Sequence, residues 1–199
     1  ARGWDTGPGN TMLDLWYRKS GNEGNYDRGG EFAAEGTISR ALLDDFLREP
    51  YFRKKPPKST GRELFNLSFI ERSLENLRAE GTGLPSPAGT ERTLLRLTAI
   101  TVAMSIKGEL REGEQALILA AGGGVHNALL MADLRECLED LSVNASLGTA
   151  EDAGIDSDFL EAEAFAWLAW CRVNGVRPQL SSVTGAKEDS VPGALYLGR

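Results

Sequence analysis

Ala116-Leu117-Ile118-Leu119-Ala120-Ala121 is an unbroken apolar run that ends in three consecutive glycines, Gly122-Gly123-Gly124. A short strand with no polar alternation belongs in a parallel sheet, and parallel strands need helical crossovers between them. The pattern that follows, carried by Leu130, Leu134, Leu138 and Leu141, has helical spacing and supplies one crossover. Ser142 to Leu147 reads as a weaker second strand, and Ala1 to Trp4 as the stub of a third. The chain is therefore expected to be α/β.

Helical patterns outnumber strands. Leu13, Trp16 and Tyr17 open one, Ser39 caps another that carries Leu42, Leu43, Phe46 and Leu47, and Phe65 to Leu77 forms a third. Leu94 to Leu110 predicts a long helix with Leu97, Ile100 and Met104 along one side, after a loop from Glu80 to Gly89. Asp158 to Arg172 is apolar nearly all round, which predicts a buried helix with Trp167 and Trp170 in the core. Three strands make a thin sheet for this many helices. Further sequence upstream is expected, with apolar surface exposed where it would pack.

The chain has 199 residues, 41% of them hydrophobic and 26% charged, a balance that can build a core of one domain or of half a two-domain enzyme. A net charge of −7 argues against a nucleic-acid partner, and Lys54, Lys55 and Lys58 form the one notable basic cluster. Cys137 and Cys171 both fall in helical patterns and read as reduced thiols. No apolar stretch approaches membrane-spanning length and no signal peptide opens the chain, so a cytoplasmic protein without a membrane partner is expected.

Asp5-Thr6-Gly7-Pro8-Gly9-Asn10 places a carboxylate before a glycine turn that opens a helix. Glycines admit an anion close to backbone N–H groups, and a helix N-terminus offers unpaired donors. A carboxylate beside such a cradle suits phosphoryl transfer, as base or metal ligand; the same residues also fit an ordinary turn. Gly122-Gly123-Gly124-Val125-His126-Asn127 lies where a parallel strand meets a helix, the place where open α/β sheets bind ligands. It is neither a dinucleotide fingerprint nor a Walker loop. Bare glycine backbone fits a flat nucleoside or simply a tight turn, and His126, the single histidine, reads as part of the loop. Glu161 is either a functional carboxylate on an apolar helix face or the last member of a capping box begun by Asp158. Lys58-Ser59-Thr60-Gly61-Arg62 suits a hydroxyl-rich or anionic ligand, or is a solvated loop.

Together these blocks, with Tyr26-Asp27, Pro50-Tyr51-Phe52, Leu129-Leu130-Met131, Phe165 to Ala169 and Val183-Thr184-Gly185-Ala186, resemble the anhydro-N-acetylmuramic acid kinases and the related levoglucosan kinases along essentially the whole chain. The resemblance implies a ribonuclease-H-like lobe of the actin, hexokinase and Hsp70 superfamily, the C-terminal one of two lobes of a sugar kinase. It implies ATP and Mg2+ as cofactors, an anhydro-sugar substrate, a homodimer, and phosphorylation of O6 coupled to opening of the 1,6-anhydro bridge. Asp5 resembles the general base and Glu161 a second catalytic carboxylate, and both are candidates for the metal. Thr6, Gly7, Pro8, Gly9, Asn10, Gly122, Gly123, Gly124 and Asn127 correspond to the ATP site, and Lys58, Ser59 and Glu161 to the sugar site. The family's Gly-Thr-Ser-x-Asp-Gly hairpin does not occur here, and Trp4 stands where phenylalanine is usual. Residues 1–199 are therefore expected to form one lobe, inactive alone. A levoglucosan kinase-type enzyme and a non-catalytic nucleotide-binding module are the alternatives.

Overall fold

The computed structural model describes residues 2–111 and 113–196. Helix α1 spans Thr11–Lys19, α2 Glu31–Ala34, α3 Arg40–Leu47, α4 Leu67–Ala79 and α5 Pro87–Glu109. Strand β1, Ala116–Ala120, leads through a 3-10 turn, Gly123–His126, into α6, Ala128–Asp140. Then come β2, Ala145–Thr149, α7, Leu160–Asn174, and the short α8, Ser181–Thr184. The two strands pair in parallel, with Ile118 opposite Leu147.

Local chemistry explains several helix starts. The Ser39 hydroxyl accepts from the Leu42 N–H at 3.4 Å, and Asn66 Oδ1 accepts from Phe69 at 3.2 Å. Ser86 Oγ accepts from Gly89 at 3.0 Å, with Pro87 at the first helical position. A side-chain acceptor at the cap satisfies one of the N–H groups that a helix start leaves open. The long helix therefore begins at Pro87, within the segment expected to be loop.

Helix α5 is the axis of the core. Its Leu94, Leu95, Leu97, Ala99 and Ala103 are buried, and α1, α2, α3 and α6 all pack against it. An aromatic cluster lies beyond α5, with Phe46 stacked on Phe69 at 5.4 Å and Phe65 on Phe52 at 5.5 Å. Three ion pairs join α5 to α6: the Arg92 guanidinium grips both oxygens of the buried Asp133, Arg96 Nε stands 3.3 Å from Asp133 Oδ2, and Arg96 also pairs with Glu136 at 2.6 Å. Cys137 and Cys171 are both buried and unpaired.

Three expectations need correction. Residues 2–5 form no strand; only β1 and β2 pair among the described residues, and Gly3 instead packs near Val183 of α8. The second strand begins at Ala145 rather than Ser142, because Ser142 takes a left-handed turn (φ 53°) that ends the connection from α6. Helix α7 is exposed, not buried: Phe165, Trp167 and Trp170 all face solvent, and Cys171 is its one fully buried residue. An apolar helix is buried only when another layer covers it, and two strands make no such layer.

Candidate active site

The N-terminal segment delivers Asp5 to the loop after the Pro50–Arg53 turn. Asp5 Oδ2 accepts the Ser59 hydroxyl at 2.8 Å and the Thr60 N–H at 2.9 Å. Its N–H donates to the Lys58 carbonyl at 3.2 Å, and its own carbonyl accepts the Tyr51 hydroxyl at 2.8 Å. The carboxylate is thus fixed through one oxygen, while Oδ1 has no hydrogen-bond partner among the described residues. Burial, and then the negative charge of Asp5, hold the Tyr51 phenol above its ordinary range. Lys58 packs its ammonium 4.7 Å from the centre of the Tyr51 ring. Burial, reinforced by the neighbouring Lys54, pushes its pKa down.

After Asp5 the chain turns tightly against α5. A Cβ on Gly7 would stand 3.0 Å from Thr101 Oγ1 and 3.2 Å from Phe52, so glycine allows the loop to lie this close. The Thr98 hydroxyl donates to the Gly9 carbonyl at 3.1 Å. Asn10 then begins α1 without a side-chain cap; the Thr11 N–H donates to the Pro8 carbonyl at 3.2 Å, and the Met12 and Leu13 N–H groups have no hydrogen-bond partner among the described residues.

Two cavities flank this loop. The larger, about 470 Å³, is walled by Trp4, Thr6, Phe52, Lys54, Lys55 and Lys58 together with the C-terminal half of α5. The Trp4 indole donates to Ser105 Oγ at 2.7 Å on its wall, and Arg2 pairs with Glu109. The smaller, about 90 Å³, brings Asn10 beside Gly123, His126 and Asn127, with Asp14, Asp27 and Arg28. The two glycine loops, more than a hundred residues apart in sequence, therefore meet. Side chains added at Gly122 or Gly123 would enter open space, so the backbone there is bare.

The sequence candidates divide accordingly. Asp5, Lys58 and Ser59 come together, Thr6 lines the larger cavity, and Asn10, Gly123 and Asn127 line the smaller. Pro8 is buried in the loop. Asn127 is also structural: its Oδ1 caps α6 by accepting from Leu130 at 3.0 Å. It further abuts Gly30, whose φ of +82° and close approach exclude a side chain. Glu161 joins neither group. It is exposed at the start of α7, and its side chain has no hydrogen bond or ion pair among the described residues. The capping-box reading of Glu161 is overturned, since Phe159 precedes the helix without a side-chain cap; the capping box lies instead between Thr149 and Asp152. Asp158 turns to His126 at 3.0 Å, a pairing that raises the imidazole pKa.

Glu91 escaped the sequence reading. It sits fully buried in α5 with neither carboxylate oxygen hydrogen-bonded. Burial first, and then the charges of Asp27 and Asp14, push its pKa up to about 9. A glutamate in a mixed helix carries no sequence signal of this. Among the described residues no group of three or more His, Cys, Asp or Glu is placed to hold a metal. Mg2+ commonly takes only one or two protein carboxylates beside water and phosphate oxygens, so the free Oδ1 of Asp5 fits that mode.

Residues 1–198 match the family model for anhydro-N-acetylmuramic acid kinase. The chain is 41% identical to a protein of that name from Haemophilus influenzae, over 98% of this chain and 50% of the relative. It is 44% identical to one from Pasteurella multocida (98% and 48%) and 40% identical to one from Mannheimia succiniciproducens (98% and 50%). It spans about half the length of these curated relatives. With the aspartate turn and the glycine loop side by side on an α/β frame, this chain belongs to the anhydro-N-acetylmuramic acid kinase family.

Proposed function

We propose that residues 1–199 form the C-terminal, ribonuclease-H-like lobe of an ATP-dependent kinase for 1,6-anhydro-N-acetylmuramic acid, working in the cytoplasm with an N-terminal lobe. The product would be N-acetylmuramic acid 6-phosphate, a step of cell-wall sugar recycling. Family membership supports the reaction class. The one observation that carries the site is the Asp5 carboxylate, clamped through Oδ2 by Ser59 and Thr60 with Oδ1 left open.

Asp5 then acts as general base. Oδ1 takes a proton from the water that bonds to the anhydro carbon as that carbon's bond to O6 breaks, and O6 takes the γ-phosphoryl group with ADP as the leaving group, while Ser59 and the Thr60 N–H keep the carboxylate aimed. The larger cavity takes the acceptor: Trp4 and Phe52 offer apolar faces to a sugar ring, and Lys54, Lys55 and Lys58 answer the acid group of a muramic sugar. The open first turn of α1 receives phosphate oxygens, and the bare backbone of Gly122 and Gly123 receives the nucleoside. When bound, ATP supplies the phosphoryl group and Mg2+ neutralises its charge. Glu161, exposed at the start of α7, is by the family resemblance a further carboxylate near the metal and sugar.

The test is a coupled ADP-release assay on the complete two-lobed enzyme with the 1,6-anhydro sugar. Asp5→Asn is expected to lower kcat by about 10²–10⁴ with nucleotide affinity nearly intact. Near-normal turnover would remove the base assignment. Equal losses of affinity and rate would make Asp5 a metal ligand instead.

A further inference from the structure

The smaller cavity, where the two glycine loops meet, carries a cationic side chain from each of two distant segments. Arg28 comes from the turn ahead of α2, and His126 from the end of the turn that follows β1. The backbone builds in their proximity. A Cβ on Gly30 would stand 2.6 Å from Asn127 Oδ1 and 2.8 Å from the Leu129 Cβ, so the 28–30 turn lies pressed against the start of α6. His126 is the residue just before Asn127.

The carboxylates of this cavity already have partners, whereas Arg28 has none. Asp27 accepts the Phe32 N–H at 2.8 Å through Oδ1 and the Ala33 N–H at 2.9 Å through Oδ2. Burial raises the Asp14 pKa, and Arg18 and Arg62 oppose that rise. The Arg28 guanidinium makes no hydrogen bond or ion pair among the described residues. His126 is held through Nε2, 3.0 Å from Asp158 Oδ1, while its Nδ1 has no partner among the described residues. The hydrogen bond to Asp158 first, and then the charges of Asp158 and Glu151, favour the charged imidazole. That form donates through both ring nitrogens, one to Asp158 and one to a ligand. At about 90 Å³ the cavity is well below the roughly 300 Å³ at which pockets begin to take whole small molecules. It suits a compact anion, and a guanidinium fork matches phosphate oxygens.

We infer that Arg28 and His126, with His126 aimed by Asp158, clamp the phosphate chain of the nucleotide. The inference rests on the kinase reading above and adds the side chains that hold the nucleotide's charge. The nucleoside lies on the bare backbone of Gly122 and Gly123, and the phosphates run past His126 and Arg28 toward Asn10 and the start of α1. Arg28 and His126 touch the phosphates, whereas Asp158 is a positioning residue.

Calorimetric titration of the complete two-lobed enzyme with ADP, adenosine and inorganic pyrophosphate separates the phosphates from the nucleoside. Arg28→Ala and His126→Ala change exposed positions and should keep the parent melting temperature. Each is expected to weaken ADP and pyrophosphate by about tenfold or more, as for a lost hydrogen bond to a charged group, and to leave adenosine within about twofold. Arg28→Lys keeps the charge and should lose less than Arg28→Ala. Asp158→Asn should weaken ADP in the parent yet add little to His126→Ala, because it acts through that ring. Additive losses would remove Asp158 from the clamp. Unchanged ADP affinity in either alanine variant would overturn the inference, as would equal losses for ADP and adenosine, which would make the cavity a nucleoside site. A parent that binds pyrophosphate through Arg28 and His126 but does not phosphorylate the anhydro sugar would refute the kinase reading and leave the clamp standing. A parent that binds neither ADP nor pyrophosphate would overturn both.

Discussion

The Ser59 hydroxyl donates to Asp5 Oδ2 at 2.8 Å across 54 residues of chain. The bond lets a loop that begins with Lys58 orient the carboxylate at the helix-opening turn, while the Thr60 N–H holds the same oxygen from the backbone. One contact of the pair can be removed by mutation and the other cannot.

Ser59→Ala should therefore lower kcat of the complete enzyme about tenfold, near 1.5 kcal/mol for a hydrogen bond to a charged group, with little change in KM for nucleotide. The residual rate comes from carboxylates still aimed by Thr60. Steady-state kinetics check this, and a loss as large as that of Asp5→Asn would mean that Ser59 itself touches the substrate. Ser59 is exposed, so the melting temperature should stay within a degree or two.

Asp133 is buried between Arg92 and Arg96 and joins α6 to α5. Asp133→Asn leaves two largely buried guanidinium groups short of a counter-charge, although Arg96 keeps Glu136 at 2.6 Å. A loss of about 3 kcal/mol is expected in denaturant titration. Replacing Arg92 and Asp133 together by leucines should recover a good part of it, because no unpaired charge then stays buried at that pair.

Glu91 makes stability depend on pH. Its folded pKa, about 9, lies above the ordinary 4.5. The folded state therefore binds a proton that the unfolded state has released throughout that window. Stability from this group is fully present below 4.5 and is lost as pH rises toward 9. Its contribution to the slope approaches 1.4 kcal/mol per pH unit, or about tenfold in the unfolding constant. Glu91→Gln should remove that slope between pH 5 and 8. Parallel slopes in the two proteins would show that Glu91 is ionised in the fold.

Much of the local structure was legible in the sequence because its causes are local. Ser39 caps α3, the glycine run turns β1 into α6, and the Asp5–Asn10 turn opens α1, each decided by side chains within a few residues. Motif order along the chain carried the family. The start of α5 was missed for a reason equally local, since Ser86-Pro87 is a helix start that glycine and proline nearby disguise as loop.

Burial and convergence belong to the neighbours rather than to the residue. The apolar periodicity of α7 shows that Phe165 and Trp170 need a partner layer, but not whether the layer is present; in this chain they remain in water. Nothing around Glu91 in sequence marks it as a carboxyl without a hydrogen bond, because Asp14 and Asp27 reach it only through folding. Likewise Asp5 could be read as a candidate base from its turn, but the choice of which oxygen is held and which is free came from a loop 54 residues away. Sequence sets the preferences of short segments through hydrogen bonds and rotamers close in the chain. Dielectric, solvent exposure and the aim of a charge are set by whatever the fold brings alongside.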